Sequence, residues 1–143
     1  MIYTELTKKA LKIAFNAHKD QVDKGGLPYI FHPLHVAYQQ ENEYCIIVAL
    51  LHDVVEDTNL TFKELENEFP IEVIDALKLL THDKNEDYFE YVKKVKNNNI
   101  AKSVKLADLK HNSDLSRLSN CSEKDLERIN KYRHAIDILE DKF

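Results

Sequence analysis

Glycine and proline are scarce, two and three among 143 residues, so few positions force a helix to stop. Tryptophan is missing, and cysteine occurs only at Cys45 and Cys121, with no C-x-x-C spacing. That pattern excludes a disulfide framework and a zinc ribbon, and both thiols are expected to be reduced. No apolar run reaches the ~18 to 20 residues a membrane-spanning helix needs, and Met1-Ile2-Tyr3-Thr4-Glu5 lacks a charged-then-apolar export signal. No membrane partner is expected, and the protein is expected to be cytoplasmic. Positive charge is also in deficit: 20 Lys and Arg stand against 25 Asp and Glu, a net charge of −5. A nucleic-acid polymer needs clustered cations and is not an expected partner, whereas a small phosphorylated ligand is compatible.

What is present is helical periodicity. Apolar residues recur at threes and fours almost throughout, and a hydrophobic content of 43% suffices for one core. The expectation is an all-α, single-domain bundle. Its first helix runs from Thr4 to about Val22, with Leu6, Ala10, Ile13, Ala14 and Ala17 on one side. A second starts at Pro33, which makes His32 roughly its N-cap. A third spans Glu43 to Val55, and Thr61 opens a short helix with a Thr-x-x-Glu capping box that Pro70 ends beyond Phe69. Apolar stripes then mark Ile71 to Thr81 and Glu86 to Asn98. A closing helix from Glu123 to about Glu140, capped by Ser122, reads as a packing helix.

Chemistry concentrates in Ala49-Leu50-Leu51-His52-Asp53-Val54-Val55-Glu56-Asp57-Thr58, an apolar run ending in four ionisable side chains. On a continuous helix His52 and Glu56 share a face, as do Asp53 and Asp57. An imidazole beside a carboxylate suits a divalent cation, and two further acids one turn on can move protons around an activated water. The alternative is a polar cluster that merely closes a core helix. A second His-Asp pair, His82-Asp83, lies in a polar run and reads as a solvated loop. The apolar residues before His52 mark the first pair as buried, and a buried charged pair needs a partner or a metal.

Three other stretches carry candidates. The loop Asp23-Lys24-Gly25-Gly26-Leu27-Pro28-Tyr29 holds both glycines and reads as an interhelical turn or, through Lys24 and Tyr29, as a ligand loop. His32 is either a satisfied core residue or a ligand, and His35 reads as structural. Between Ile100 and Leu118, Lys105, Asp108 and Asn112 adjoin an apolar face. Asp108 among small apolar neighbours is either a salt-bridge partner of Lys105 or a site residue.

These motifs, Ala17-His18-x-x-Gln21, Gly26-x-Pro28-Tyr29-Ile30-x-His32-Pro33-Leu34-x-Val36-Ala37, Leu50 to Thr58, Leu80-Thr81 and Val104-Lys105-Leu106-Ala107-Asp108-Leu109-Lys110-His111-Asn112, span about Thr7 to Arg117. Together they resemble the HD-domain metal-dependent phosphohydrolases, and within them the hydrolase domain of RelA/SpoT-type alarmone enzymes. The resemblance implies an HD-domain helical bundle, with residues 1–143 as an HD-type phosphohydrolase domain and the architecture of a stand-alone small alarmone hydrolase. It implies removal of the 3′-pyrophosphate of guanosine 3′,5′-bis(diphosphate), ppGpp, giving GDP and pyrophosphate. Carried over residue by residue, His32, His52, Asp53 and Asp108 would hold the metal. Glu56 and Asp57 would be catalytic, and Lys24, Tyr29, Lys105 and Asn112 would contact the nucleotide. Manganese is the usual ion of the family, and a mixed N/O donor set also accepts Fe²⁺ or Zn²⁺. Asp23 stands where such hydrolases typically carry an arginine that stacks on guanine. An aspartate cannot stack that way and would repel a polyanion, while Arg117 or Arg133 could replace it. Two alternatives therefore stay open: a phosphatase of another nucleotide, such as NADPH or a nucleoside monophosphate, and a non-catalytic ligand-sensing domain.

Overall fold

The computed structural model describes residues 1–142, and they form an all-helical bundle. Helix α1, Glu5–His18, starts at Thr4, whose hydroxyl accepts from the Thr7 backbone N–H while the Thr7 hydroxyl accepts from that of Thr4. It ends four residues short of the expected Val22. The reason is a tight loop: Val22 bridges Pro28, the Asp23 N–H donates to the Leu27 carbonyl, and the Tyr29 N–H donates to that of Gln21. Gly26 supplies the positive φ, 83°, that this turn needs.

Helix α2, Phe31–Tyr38, begins two residues before Pro33, so His32 lies inside the first turn and is not the N-cap. Helix α3, Glu43–Leu51, is capped by the Asn42 side chain, which accepts from the Cys45 N–H. Every residue from Cys45 to Leu51 is buried, because α3 is packed by α1, α2, α6 and α8. A helix enclosed on all sides must be apolar all round. The expected continuation to Val55 is broken at His52-Asp53, and Asp53 (φ −101°, ψ −4°) starts a separate short helix α4, Val54–Asp57.

Helix α5, Phe62–Glu66, carries the expected Thr61 cap, and α6, Ile71–Leu80, starts directly after Pro70. Helix α7, Tyr88–Lys96, buries Tyr91, Val92 and Val95 and leaves Lys93 and Lys94 in solvent. Helix α8, Asn99–Asn112, is followed by a 3-10 turn, Leu115–Arg117. Helix α9, Glu123–Leu139, has the expected Ser122 cap, completed by the Asp125 side chain. No described helix is long and apolar enough to cross a membrane.

Leu50 is fully buried in the last turn of α3. Leu50→Ala is expected to lower stability by about 2–5 kcal/mol in urea denaturation, through lost transfer energy and a residual cavity. A change below about 1 kcal/mol would show that α3 is not the packing centre described.

Candidate functional site

Three elements deliver one cluster. His32 comes from the first turn of α2, where Pro33 fixes the local φ; His52 and Asp53 come from the break after α3; Asp108 comes from the third turn of α8. One ligand atom from each lies within 4.8 Å of all the others. His32 Nε2 is 2.8 Å and His52 Nε2 3.3 Å from Asp108 Oδ1. Asp53 Oδ2 is 3.1 Å from His52 Nε2 and 3.7 Å from His32 Nε2. His32, His52 and Asp108 are buried, and Asp53 is partly so.

The surroundings orient each of these groups. His52 Nδ1 donates to the Ala49 carbonyl at 2.5 Å, which directs Nε2 into the cluster. His32 Nδ1 meets His111 Nδ1 at 2.8 Å. The Tyr29 hydroxyl donates to Asp53 Oδ2 at 2.6 Å, and burial together with the charge of Asp53 raises its pKa, so it stays a donor. Asp108 is held on both oxygens, by Lys105 Nζ at 3.1 Å and by Asn112 Nδ2 at 3.0 Å. Against the opposing effect of burial, Lys105 and the two imidazoles keep Asp108 well below the usual carboxylate range. The two carboxylates in turn hold His52 well above its ordinary value, again against burial. Without a cation, therefore, His52 carries a proton among the acids.

Neither Glu56 nor Asp57 is among the four: Glu56 stands at the rim, whereas Asp57 is on neither neighbouring cavity wall. Both keep solvent contact, and partial burial of their carboxyls together with the charge of Asp53 raises both pKa values. Glu56 Oε1 accepts from the His82 backbone N–H at 2.7 Å. The loop that reads as merely solvated thus forms one wall of the site, with the His82 ring against Tyr88 and Tyr91.

Two neighbouring cavities open here. One, of about 300 Å³, holds His52, Asp53, Glu56, Lys105 and Asp108, with Tyr88 and Lys131 opposite. The other, of about 340 Å³, is lined by Lys24, Gly25, His32, Arg117 and Arg128. Tyr29, Asn112 and Tyr132 line both. Lys24, Tyr29, Lys105 and Asn112 are thus all on cavity walls, the last three with their polar ends on cluster carboxylates. Lys24 is largely exposed, 3.9 Å from Asp125.

Asp23 does not face a ligand as a free charge. Its Oδ1 accepts from the Gly25 and Leu27 N–H groups, and its Oδ2 pairs with Arg117 Nη2 at 3.4 Å. It staples the loop and holds a guanidinium at the cavity, whereas Arg133 is exposed and outside both linings. Sequence reasoning missed Arg128, Lys131 and Tyr132, because α9 reads as packing. Their spacing at i, i+3 and i+4 marks one face, a polar stripe beside the apolar one.

Comparison with known proteins agrees with this geometry. No family model matches the chain. The chloroplastic putative GTP diphosphokinase RSH1 of Arabidopsis thaliana is 49% identical over 70 residues, covering 46% of this chain and 8% of that protein. The guanosine-3′,5′-bis(diphosphate) 3′-pyrophosphohydrolase MESH1 of Danio rerio is 37% identical over 128 residues, covering 80% of this chain and 71% of the relative. This protein belongs to the guanosine-3′,5′-bis(diphosphate) 3′-pyrophosphohydrolase family. A solved structure described as a metazoan ortholog of SpoT that hydrolyzes ppGpp superposes with a TM-score of 0.78 at 26% identity. That match covers 97% of this chain and 88% of the other.

The donor chemistry of the cluster fits a divalent cation. Two imidazole nitrogens and two carboxylate oxygens converge, and the carboxylates that hold the His52 pKa well above its ordinary value would equally favour a cation. Cation binding must therefore expel the His52 proton. About one proton should be released per Mn²⁺ bound near neutral pH, so affinity climbs about tenfold per pH unit until the folded pKa of His52 is passed. Calorimetry in buffers of different ionisation enthalpy measures the release. Binding without proton release would refute the charged state of His52.

Proposed function

We propose that this protein is a manganese-dependent hydrolase that converts ppGpp and water into GDP and pyrophosphate, residues 1–143 forming an HD-type phosphohydrolase domain. The observation that carries the reading is the four-donor cluster, with Glu56 at its rim, beside two neighbouring cavities whose walls carry Lys105 and Lys131 in one and Lys24, Arg117 and Arg128 in the other. It agrees with the activity for which MESH1 is named, the relative whose length this chain matches best among those described above.

His32, His52, Asp53 and Asp108 would hold the cation, which would supply a Lewis acid for a phosphoryl oxygen and lower the pKa of a nearby water. Glu56, fixed by the His82 N–H, receives the proton of the attacking water as its oxygen bonds to the phosphorus nearest the sugar. The bond from that phosphorus to the 3′-oxygen breaks, and Asp57 returns a proton to the oxygen left on the ribose. Raised pKa values suit both acids to this exchange, because proton transfer is most effective near the working pH. Lys105 and Lys131 face the pyrophosphate. Lys24, Arg117 and Arg128 line the second cavity, where the base and 5′-diphosphate would lie, with Asn112 and Tyr132 between the two. Because Asp23 is neutralised by Arg117, it presents no free repulsive charge to this polyanion.

Anion-exchange analysis of products after incubation with ppGpp, with and without Mn²⁺, tests the reading. Mn²⁺-dependent GDP and pyrophosphate are expected, with none from His52→Ala. Glu56→Gln should bind Mn²⁺ normally yet lose about 10²–10⁴ in kcat/KM. Intact ppGpp alongside turnover of NADPH or a nucleoside monophosphate would reassign the substrate.

A further inference from the structure

His111 belongs to neither the cluster nor the acid pair, yet its ring is the neighbour of a cluster imidazole. His32 and His111 are nearly coplanar, 5° apart, with Nδ1 facing Nδ1 at 2.8 Å. Their centroid separation of 5.0 Å is close to that N···N distance plus two ring radii, so the rings meet edge to edge and are not stacked. The shared proton therefore lies in the plane of both lone pairs. A true stack lies beyond: His35 covers His111 at 3.9 Å and 13°. The backbone of His111 is fixed as well, by Arg117 Nη1 donating to its carbonyl at 2.9 Å.

We propose that His111 is a positioning residue: once a cation replaces the contact of His32 Nε2 with Asp108 Oδ1, it holds His32 in the tautomer with its proton on Nδ1 and Nε2 bare for the cation. This rests on the reading of His32 as a metal ligand. A neutral imidazole has one N–H and one lone pair, so presenting Nε2 to a cation places the proton on Nδ1. The partner within reach of that proton is His111 Nδ1, which must then be bare, with the His111 proton on its own Nε2. His111 also lines an outer cavity of about 380 Å³ with Gln39, Gln40 and Lys110, which gives this ring access to solvent for that exchange. Metal-binding histidines more often donate their second N–H to a carboxylate or a carbonyl, as His52 does to Ala49. An imidazole in that place orients His32 without adding a third negative charge to Asp53 and Asp108. A site that must admit a polyphosphate benefits from that neutrality.

The test separates cation binding from turnover. Long-range ¹H–¹⁵N spectra of histidine-labelled protein saturated with diamagnetic Zn²⁺ should show His32 protonated on Nδ1 and His111 on Nε2. His111→Leu removes the acceptor and should weaken Mn²⁺ binding about 10- to 100-fold. His111→Gln keeps an acceptor oxygen and should recover most of that loss, which a general folding defect would not allow. His111 protonated on Nδ1 in the Zn²⁺ form, or Mn²⁺ affinity unchanged in His111→Leu, would overturn the proposal. Those outcomes leave ppGpp hydrolysis by the unaltered protein standing. An unaltered protein that binds no cation would overturn the metal reading itself.

Discussion

A carboxylate buried as deeply as Asp108, 5% exposed, is tolerated only if its charge and lone pairs are met inside the protein. His32 reaches it from α2, His52 from the end of α3, and Lys105 and Asn112 from its own helix at i−3 and i+4. The requirement therefore fixes how α8 packs against α2 and the enclosed helix α3. Removing any one partner leaves the others as uncompensated buried charges or donors. Cation binding and folding draw on the same contacts: protons satisfy the acids in one state and a metal would in the other. The cluster is preorganised because the bundle must satisfy it before any ligand arrives.

Much of this was legible in the sequence, for identifiable reasons. Complete enclosure makes α3 a continuous apolar run, so Cys45 to Leu51 announced burial, and the ionisable residues after it stood out. Caps at Thr61 and Ser122 are local and were read correctly. The end of the α3 helix was not legible, since Leu51 to Asp57 contains no breaker. Tertiary bonds accompany the break: Tyr29 holds Asp53 from 24 residues away, and Gln21 donates to the Asp57 carbonyl. Asp23 was misread in the same way. Its neutralising partner, Arg117, is 94 residues distant, so sequence alone shows an unpaired acid. On α9, Arg128, Lys131 and Tyr132 look like a solvated face, and only the packing of α9 on α7 and α8 puts that face over the cavities.

The break after Leu51 also separates the carboxylate inside the cluster from the two that stand outside it. On an uninterrupted helix Glu56 would follow His52 along one face, and Asp57 would follow Asp53, crowding two more carboxylates against the cluster. Four acids at such spacing repel one another, and some would take up protons to relieve it. Across the break, Glu56 accepts from the backbone N–H of His82 instead and stays at the rim. Two acids remain among the nitrogen donors and two stand outside, close enough to Asp53 for its charge to raise their pKa values. The distortion that interrupts the helix thus gives Asp53 one set of surroundings and Glu56 and Asp57 another.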